Sequence, residues 1–352
     1  RRRIIKHYLI FEIMRQEKLK KKTRTIDKIL KQLTPERIKK ELAEIQAVEL
    51  PEELQKWVKE YEKVGDRDQS FWKLIYLFNK KITSIPFNEN QKKSVLKTKF
   101  LLSLFIILLD DVADESKNAS LLGYLLEIPS KKTSFAPHSL NKKESIYFNL
   151  ANRAWIEITK AIKGYPLYKE LKEIFFFDIK QIMNAMDYSF LINKFPFIAN
   201  ATESWAYPAH SSQGIINCTI ELMCFPKVEW SELGKIREAF WYAQQIARLA
   251  NCINTWEKEL VKKDFSGSVI QYAIATKTIT PKQLTQEKTL SIKVKSKLFL
   301  SESKILEKMD HCFEELNKIC GQIQSINLKP LLEQLEFLFI QYTVAKNYNM
   351  KN

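Results

Sequence analysis

Phe100-Leu101-Leu102-Ser103-Leu104-Phe105-Ile106-Ile107-Leu108-Leu109 runs straight into Asp110-Asp111-Val112-Ala113-Asp114-Glu115. Lys97 to Leu109 reads as an apolar helix whose end presents Asp110, Asp111, Asp114 and Glu115. Positions three and four apart share a helix face, so Asp110 with Asp114, and Asp111 with Asp114, point together. Carboxylates crowded in this way repel one another unless a cation sits between them. Hard oxygen ligands suit Mg2+, which keeps waters and phosphate oxygens in its shell and needs no complete protein cage. The competing reading is a solvated helix end that is merely acidic. Against it, acids favour the N-terminal end of a helix, where the macrodipole is positive.

A second stripe lies in Arg248-Leu249-Ala250-Asn251-Cys252-Ile253-Asn254-Thr255-Trp256-Glu257-Lys258-Glu259. Asn251, Thr255 and Glu259 recur at i, i+4 and i+8, which spans about 80° of one helix face. An amide oxygen, a hydroxyl and a carboxylate make a weakly charged half-site for Mg2+ with positions left for phosphate. Alone, such polar spacing is better read as a solvated face. Two stripes on one chain favour the metal reading.

Scarce glycine points the same way on fold. The 352 residues contain only 7 glycines, and neither G-x-G-x-x-G nor G-x-x-x-x-G-K-[ST] occurs, which argues against Gly-rich nucleotide loops and strand-and-turn architectures. Helical patterns are read over 34–47, 51–61, Phe71 to Ile82, Lys92 to Glu115, Lys143 to Ile162, Leu167 to Tyr188 and Gly214 to Met223. They continue over Trp230 to Val261, Ser268 to Ala275, Val294 to Cys320 and Lys329 to Tyr348. Apolar residues recur every three to four positions in most of them. The expectation is an all-α chain with one domain over 31–352, preceded by a basic extension over 1–30.

These motifs resemble those of the class I terpene synthases. Asp110-Asp111-Val112-Ala113-Asp114-Glu115 matches the family's D-D-x-x-D-E. Asn251 to Glu259 matches N-D-[LIV]-x-[ST]-x-x-K-E, except that Cys252 replaces an aspartate that is not normally a ligand. The likeness extends over 35–350 and is to the bacterial-type sequences with a single α-domain. It implies an α-helical bundle or barrel, three Mg2+ ions (Mn2+ able to substitute) and an isoprenoid diphosphate substrate, geranylgeranyl or farnesyl. It also implies that Asp110, with Asp111 or Asp114, holds two ions, while Asn251, Thr255 and Glu259 hold the third. Lys258 and Arg248 would contact the diphosphate. Among the aromatic residues, Phe105, Trp205, Tyr207 and Trp256 are candidates for the substrate pocket. Gly214 would mark a helix break whose backbone carbonyl faces the substrate.

The sequence departs from the family pattern twice. The family's upstream diphosphate-sensing arginine belongs near Trp205, where Trp205, Tyr207 and His210 stand instead. Its C-terminal Arg-Tyr pair is replaced by Lys346-Asn347-Tyr348, and Lys346 lacks the bidentate fork of arginine. The enzyme alternatives, a prenyl diphosphate synthase or a squalene-synthase-like prenyltransferase, normally carry two aspartate-rich motifs.

Charge and cysteine bound the setting. The net charge is +16, and residues 1–31 hold 12 Lys/Arg against 3 Asp/Glu. A basic helical nucleic-acid-binding protein is the non-enzyme alternative, but no recognition helix or aromatic-interleaved RNA motif accompanies the charge. No nucleic-acid partner is therefore expected; a homodimer is possible, since dimers are common in the family. Five cysteines without C-x-x-C spacing fit a reduced, cytoplasmic protein. No run approaches the ~20 apolar residues of a membrane span, and Arg1 to Met14 lacks the features of a signal peptide.

Overall fold

The computed structural model describes residues 24–83, 85–115, 118–130, 137, 139–286 and 292–347. Every regular element among them is helical. The chain runs α1 (Arg24–Lys31), α2 (Pro35–Gln46), α3 (Glu52–Tyr61), α4 (Gln69–Lys81), α5 (Glu89–Glu115), α6 (Ala119–Glu127), α7 (Lys142–Lys163) and α8 (Tyr168–Lys194). It continues through α9 (Ala201–Ala206), α10 (Gly214–Cys224), α11 (Leu233–Lys262), α12 (Ser268–Ala275), α13 (Pro281–Gln286), α14 (Ile292–Cys320) and α15 (Lys329–Asn347). Short 3-10 turns span Pro196–Ile198, Pro208–Ser212 and Trp230–Glu232.

Local chemistry sets the helix starts. The Thr34 side chain accepts from Arg37 N, and proline at the first position of α2 costs no hydrogen bond there. Asn141 and Glu144 close a reciprocal capping box at α7. The helices read from the sequence are found to within three residues, except that α8 continues six residues past Tyr188, where Phe190 and Ile192 still bury; α1, α6, α9 and α13 have no counterpart in the sequence reading. Helix α1 falls within the segment read as an extension. Ile26 and Ile29 anchor it in the core, and Asp310 on α14 caps it by accepting from Thr25 N.

Helix α5 is the central post. Phe100 to Leu109 are all buried, as a helix surrounded on every side requires. It packs against α4, α7, α8 and α10, while α11 packs against α10, α12, α14 and α15. The two apolar helices that carry the polar stripes thus stand inside one shared core. Among the described residues, no helix is long and apolar enough to cross a membrane.

Candidate active site

The acidic end of α5 is met by a turn between α3 and α4. Tyr61, the last residue of α3, donates from its hydroxyl to Asp111 Oδ2 at 2.6 Å. The chain then folds back over the Tyr61 ring at Gly65, where a Cβ would lie 2.1 Å from the ring. Only glycine allows that approach. It delivers Arg67, whose Nε and Nη2 donate to Asp111 Oδ1 at 2.9 and 2.7 Å and whose Nη2 also reaches Asp110 Oδ2 at 3.2 Å. The guanidinium carbon lies 4.7 Å from the centre of the Phe71 ring. Burial works against the charge of Arg67, but Asp111 and Asp110 outweigh it and hold the group protonated.

The α11 stripe gathers its oxygens around the Thr255 hydroxyl, whose one proton serves a single acceptor at a time. Thr255 Oγ1 lies 3.0 Å from Asn251 Oδ1 and 2.5 Å from Glu259 Oε1. Glu259 Oε2 is buried and has no hydrogen-bond partner among the described residues. The loop after α11 crosses directly above it, and a Cβ on Gly267 would stand 2.0 Å from that oxygen. Arg248, one turn before Asn251, donates from Nη2 to Ser266 O at 3.0 Å, while its buried Nε has no partner among the described residues. Tyr342 on α15 is hydrogen-bonded with Asn251. Cys252 is buried on another side of α11 and accepts from Ser268 N, so its difference from the family pattern leaves the stripe intact.

Asn193, near the end of α8, ties the two stripes together. Its Nδ2 donates to Asp114 O and to Asp264 Oδ1, both at 3.1 Å, and its Oδ1 accepts from Phe265 N at 2.6 Å. Asp264 is buried and joins the field of Asp110, Asp114 and Glu259. Burial, together with the neighbouring carboxylates, raises Asp110 above the usual range and Asp114 well above it. Glu259 is pushed up to about 8, first by burial and then by Asp264. Arg248 stays charged despite burial, within the field of Glu259, Asp110 and Asp114.

This crowding of half-buried acids fits a cation. Glu259 Oε2 is an unsatisfied hard ligand, and Asp110, Asp114 and Asp264 repel each other across the same space. Among the described residues, no three His, Cys, Asp or Glu side chains already stand at metal-ligand spacing. Asp111 is drawn to Arg67 and Tyr61, and Glu259 to Thr255.

The other sequence candidates have contacts of their own. Lys346 stands 3.5 Å from Glu257, and Lys258 is lowered by burial and by Lys262 and Lys346 beside it. Tyr348 and the Glu115 side chain fall outside the described residues. Phe105 is fully buried against Trp155. Trp205 is tilted against Tyr272, and the exposed Tyr207 meets Tyr188 edge-on. Trp256 is fully buried with its Nε1 donating to Glu302, packed between α11 and α14. Gly214 follows Gln213, whose φ of 64° breaks the chain before α10. A Cβ on Gly214 would lie 2.6 Å from Gln244 Cβ, so glycine lets α10 and α11 close.

Sequence reasoning missed Tyr61, Arg67, Asn193, Asp264 and Gly267. The only local signals were glycines beside polar residues, in Gly65-Asp66-Arg67 and Asp264-Phe265-Ser266-Gly267.

No protein-family model matches the sequence, and no curated protein matches it. Among solved structures, it is similar to isoprene synthase from grey poplar leaves (Populus x canescens), determined with three Mg2+ ions and dimethylallyl-S-thiolodiphosphate. The TM-score is 0.52 at 15% identity, and the match covers 88% of this chain and 54% of that one. The chain therefore spans about half the length of that protein. Its architecture, helices throughout, is that of the all-α terpene synthase fold.

Proposed function

We propose that this chain is a class I terpene synthase that ionises an isoprenoid diphosphate and guides the resulting carbocation to a product. One observation carries the reading: the carboxylate cluster on α5 and Glu259 of the α11 stripe share the field of the buried Asp264, and Glu259 Oε2 has no hydrogen-bond partner among the described residues. Asp110 and Asp114 on one side, and Asn251, Thr255 and Glu259 on the other, would hold Mg2+, three ions by family resemblance and with Mn2+ able to substitute. Bound there, the ions supply positive charge to the diphosphate leaving group.

The protein's own residues do the rest. Arg67 and Arg248 are held charged beside the carboxylates and would donate to diphosphate oxygens. Lys258 and Lys346 add cationic donors from the end of α11 and from α15. The diphosphate leaves with the bonding electron pair of the allylic C–O bond, and the cation is left in an apolar interior. Phe105, Trp155 and Phe175 form a connected, buried aromatic cluster, and rings of this kind would exclude water and offer their faces to positive charge. Farnesyl and geranylgeranyl diphosphate are the proposed substrates. The Asn/Thr/Glu set on α11, where chain-elongating relatives carry a second aspartate-rich motif, favours cyclisation over elongation.

The test is incubation of the purified chain with C10, C15 and C20 allylic diphosphates, with and without Mg2+. Hydrocarbon or prenyl alcohol, released with diphosphate only when the metal is present and lost in Asp110→Ala, is the expected result. Absence of product from every substrate would overturn the proposal.

A further inference from the structure

Acids are poorly placed at the end of α5. The macrodipole makes a helix C-terminus negative, and its last carbonyls have no partner within the helix. Asp110 and Asp111 are steadied there by Arg67 and Tyr61. Asp114 lies one turn further on, in the last turn of the helix. Its carbonyl oxygen accepts from Asn193 Nδ2 at 3.1 Å, so a side chain from α8 caps the turn that carries this acid.

The same amide reaches the other half of the site. Asn193 Nδ2 also donates to Asp264 Oδ1 at 3.1 Å, and its oxygen accepts from Phe265 N at 2.6 Å. Asp264 and Phe265 open the loop that meets α11 again. Ser266 O accepts from Arg248 Nη2, and Ser268 N donates to Cys252 Sγ. Between them, Gly267 lies so close to Glu259 Oε2 that it has no room for a Cβ. Asp264 Oδ1 accepts from Ser266 N as well, which folds the loop on itself. Tyr188, also on α8, donates to Gln271, whose amide donates to Ser266 O. Asn193 thus stands between Asp114 and the loop that lies against Arg248 and Glu259.

We propose that Asn193 is a positioning residue that sets the register between the two half-sites, holding Asp114 and the loop behind Glu259 at the separation that Mg2+ with diphosphate requires. The inference rests on the metal reading above and adds a residue to which neither stripe points. Asp110, Asp114, Glu259 and Asp264 repel one another across the site, and a cross-link between the two sides resists their separation. An amide suits the task because it donates to a carbonyl on one side and to a carboxylate on the other without adding charge. Partners of this kind govern metal affinity through the ligands that they hold, with no contact to the metal.

Calorimetric titration of the full chain with Mg2+ at fixed inorganic diphosphate, against a blank without protein, tests it. Asn193 is half-buried, so Asn193→Ala is expected to fold. It should need about tenfold more Mg2+ for half-saturation, with the stoichiometry of the wild type. Lys99→Met, which weakens the core away from the site, should melt earlier but keep the wild-type half-saturation. Without metal, hydrogen exchange in Asn193→Ala should quicken over 111–115 and over 264–267 together. An unmoved half-saturation, or faster exchange on one side alone, overturns the proposal. Equal displacement in Lys99→Met would make Asn193 a general stabilising contact and overturns it too. These outcomes leave the metal reading standing. A wild type that binds no Mg2+ with diphosphate removes that reading, and the role of Asn193 with it.

Discussion

Arg67 grips one oxygen of Asp111 with two nitrogens, Nε at 2.9 Å and Nη2 at 2.7 Å, while the Tyr61 hydroxyl holds the other oxygen at 2.6 Å. Asp111 is therefore fully engaged by protein, and Asp110 and Asp114 are the acids of α5 with capacity for an added cation. Arg67→Ala leaves adjacent carboxylates without their counter-charge. A loss of about 2 kcal/mol in metal-free stability is expected, below the full cost of breaking a buried pair because the site is partly solvated. Diphosphate-releasing turnover should fall about a hundredfold as a positioned donor is lost. Urea melts and steady-state kinetics measure both, and unchanged kinetics would remove Arg67 from the reaction.

Asp114→Asn separates function from stability. Burial and the negative charges of Asp110 and Asp264 raise Asp114 well above the usual carboxylate range, so ionising it is costly in the metal-free protein. A neutral amide of similar shape should raise the metal-free melting temperature at pH 8. The stabilisation that Mg2+ gives the wild type should shrink or vanish, with product formation falling about a thousandfold or more. Differential scanning calorimetry with and without Mg2+ reads the two effects. Magnesium stabilisation equal to that of the wild type would move the site elsewhere.

Both stripes were legible because each is local: a helix repeats its face every three to four residues, so Asp110/Asp114 and Asn251/Thr255/Glu259 announce themselves in one segment. The residues that complete the site are not local. Arg67 arrives because Gly65 lets the chain fold over Tyr61, and Asp264 because Asn193 holds the loop after α11. The missing arginine near Trp205 pointed to a depleted set of cationic donors. The structure places Arg67 beside the acids from the opposite direction along the chain. Trp256 illustrates the converse. Its neighbours in sequence carry the stripe, but its own direction on α11 sends it into Phe299 and Glu302.

Gly267→Ala should damage the site without touching a charged residue. The added methyl carbon would stand 2.0 Å from Glu259 Oε2 with no change of backbone class required, so either the loop or the carboxylate must move. A destabilisation of about 1–3 kcal/mol is expected from the overpacking. The Mg2+ concentration for half-maximal activity should rise as Glu259 is displaced. A titration of activity against Mg2+ checks this, and an unaltered midpoint would show that Glu259 does not serve as a ligand.

Lys99 and Glu221 form a fully buried pair at 2.7 Å, with Lys99 also reaching Thr83 Oγ1 and Glu221 accepting from Ile85 N. The pair joins α5 to α10, just below the break at Gln213, whose Oε1 accepts from Ser103. Lys99→Met strands a carboxylate in the core and should cost about 3–5 kcal/mol. Adding Glu221→Leu should recover much of that, because an apolar pair needs no desolvation of charge. A double-mutant cycle from denaturant melts decides it; additive losses would mean that the two ions do not act as a pair.

His210 provides the pH dependence least entangled with metal. Burial lowers its pKa, with Asp178 opposing and Arg237 assisting, and its ring packs on Trp241 at 5.2 Å. Asp178 is already gripped by Arg237 and Thr219, so little of its charge is left to support a protonated imidazole. A folded pKa below the unfolded value of about 6.5 means that the neutral ring contributes stability above that pH. The contribution is lost as pH falls through the lowered folded value. His210→Phe keeps a ring against Trp241 but cannot titrate, so its melting temperature should decline less than that of the wild type between pH 7 and pH 5. Parallel melting curves for the two proteins across that range would show that His210 bears no part of the acid sensitivity.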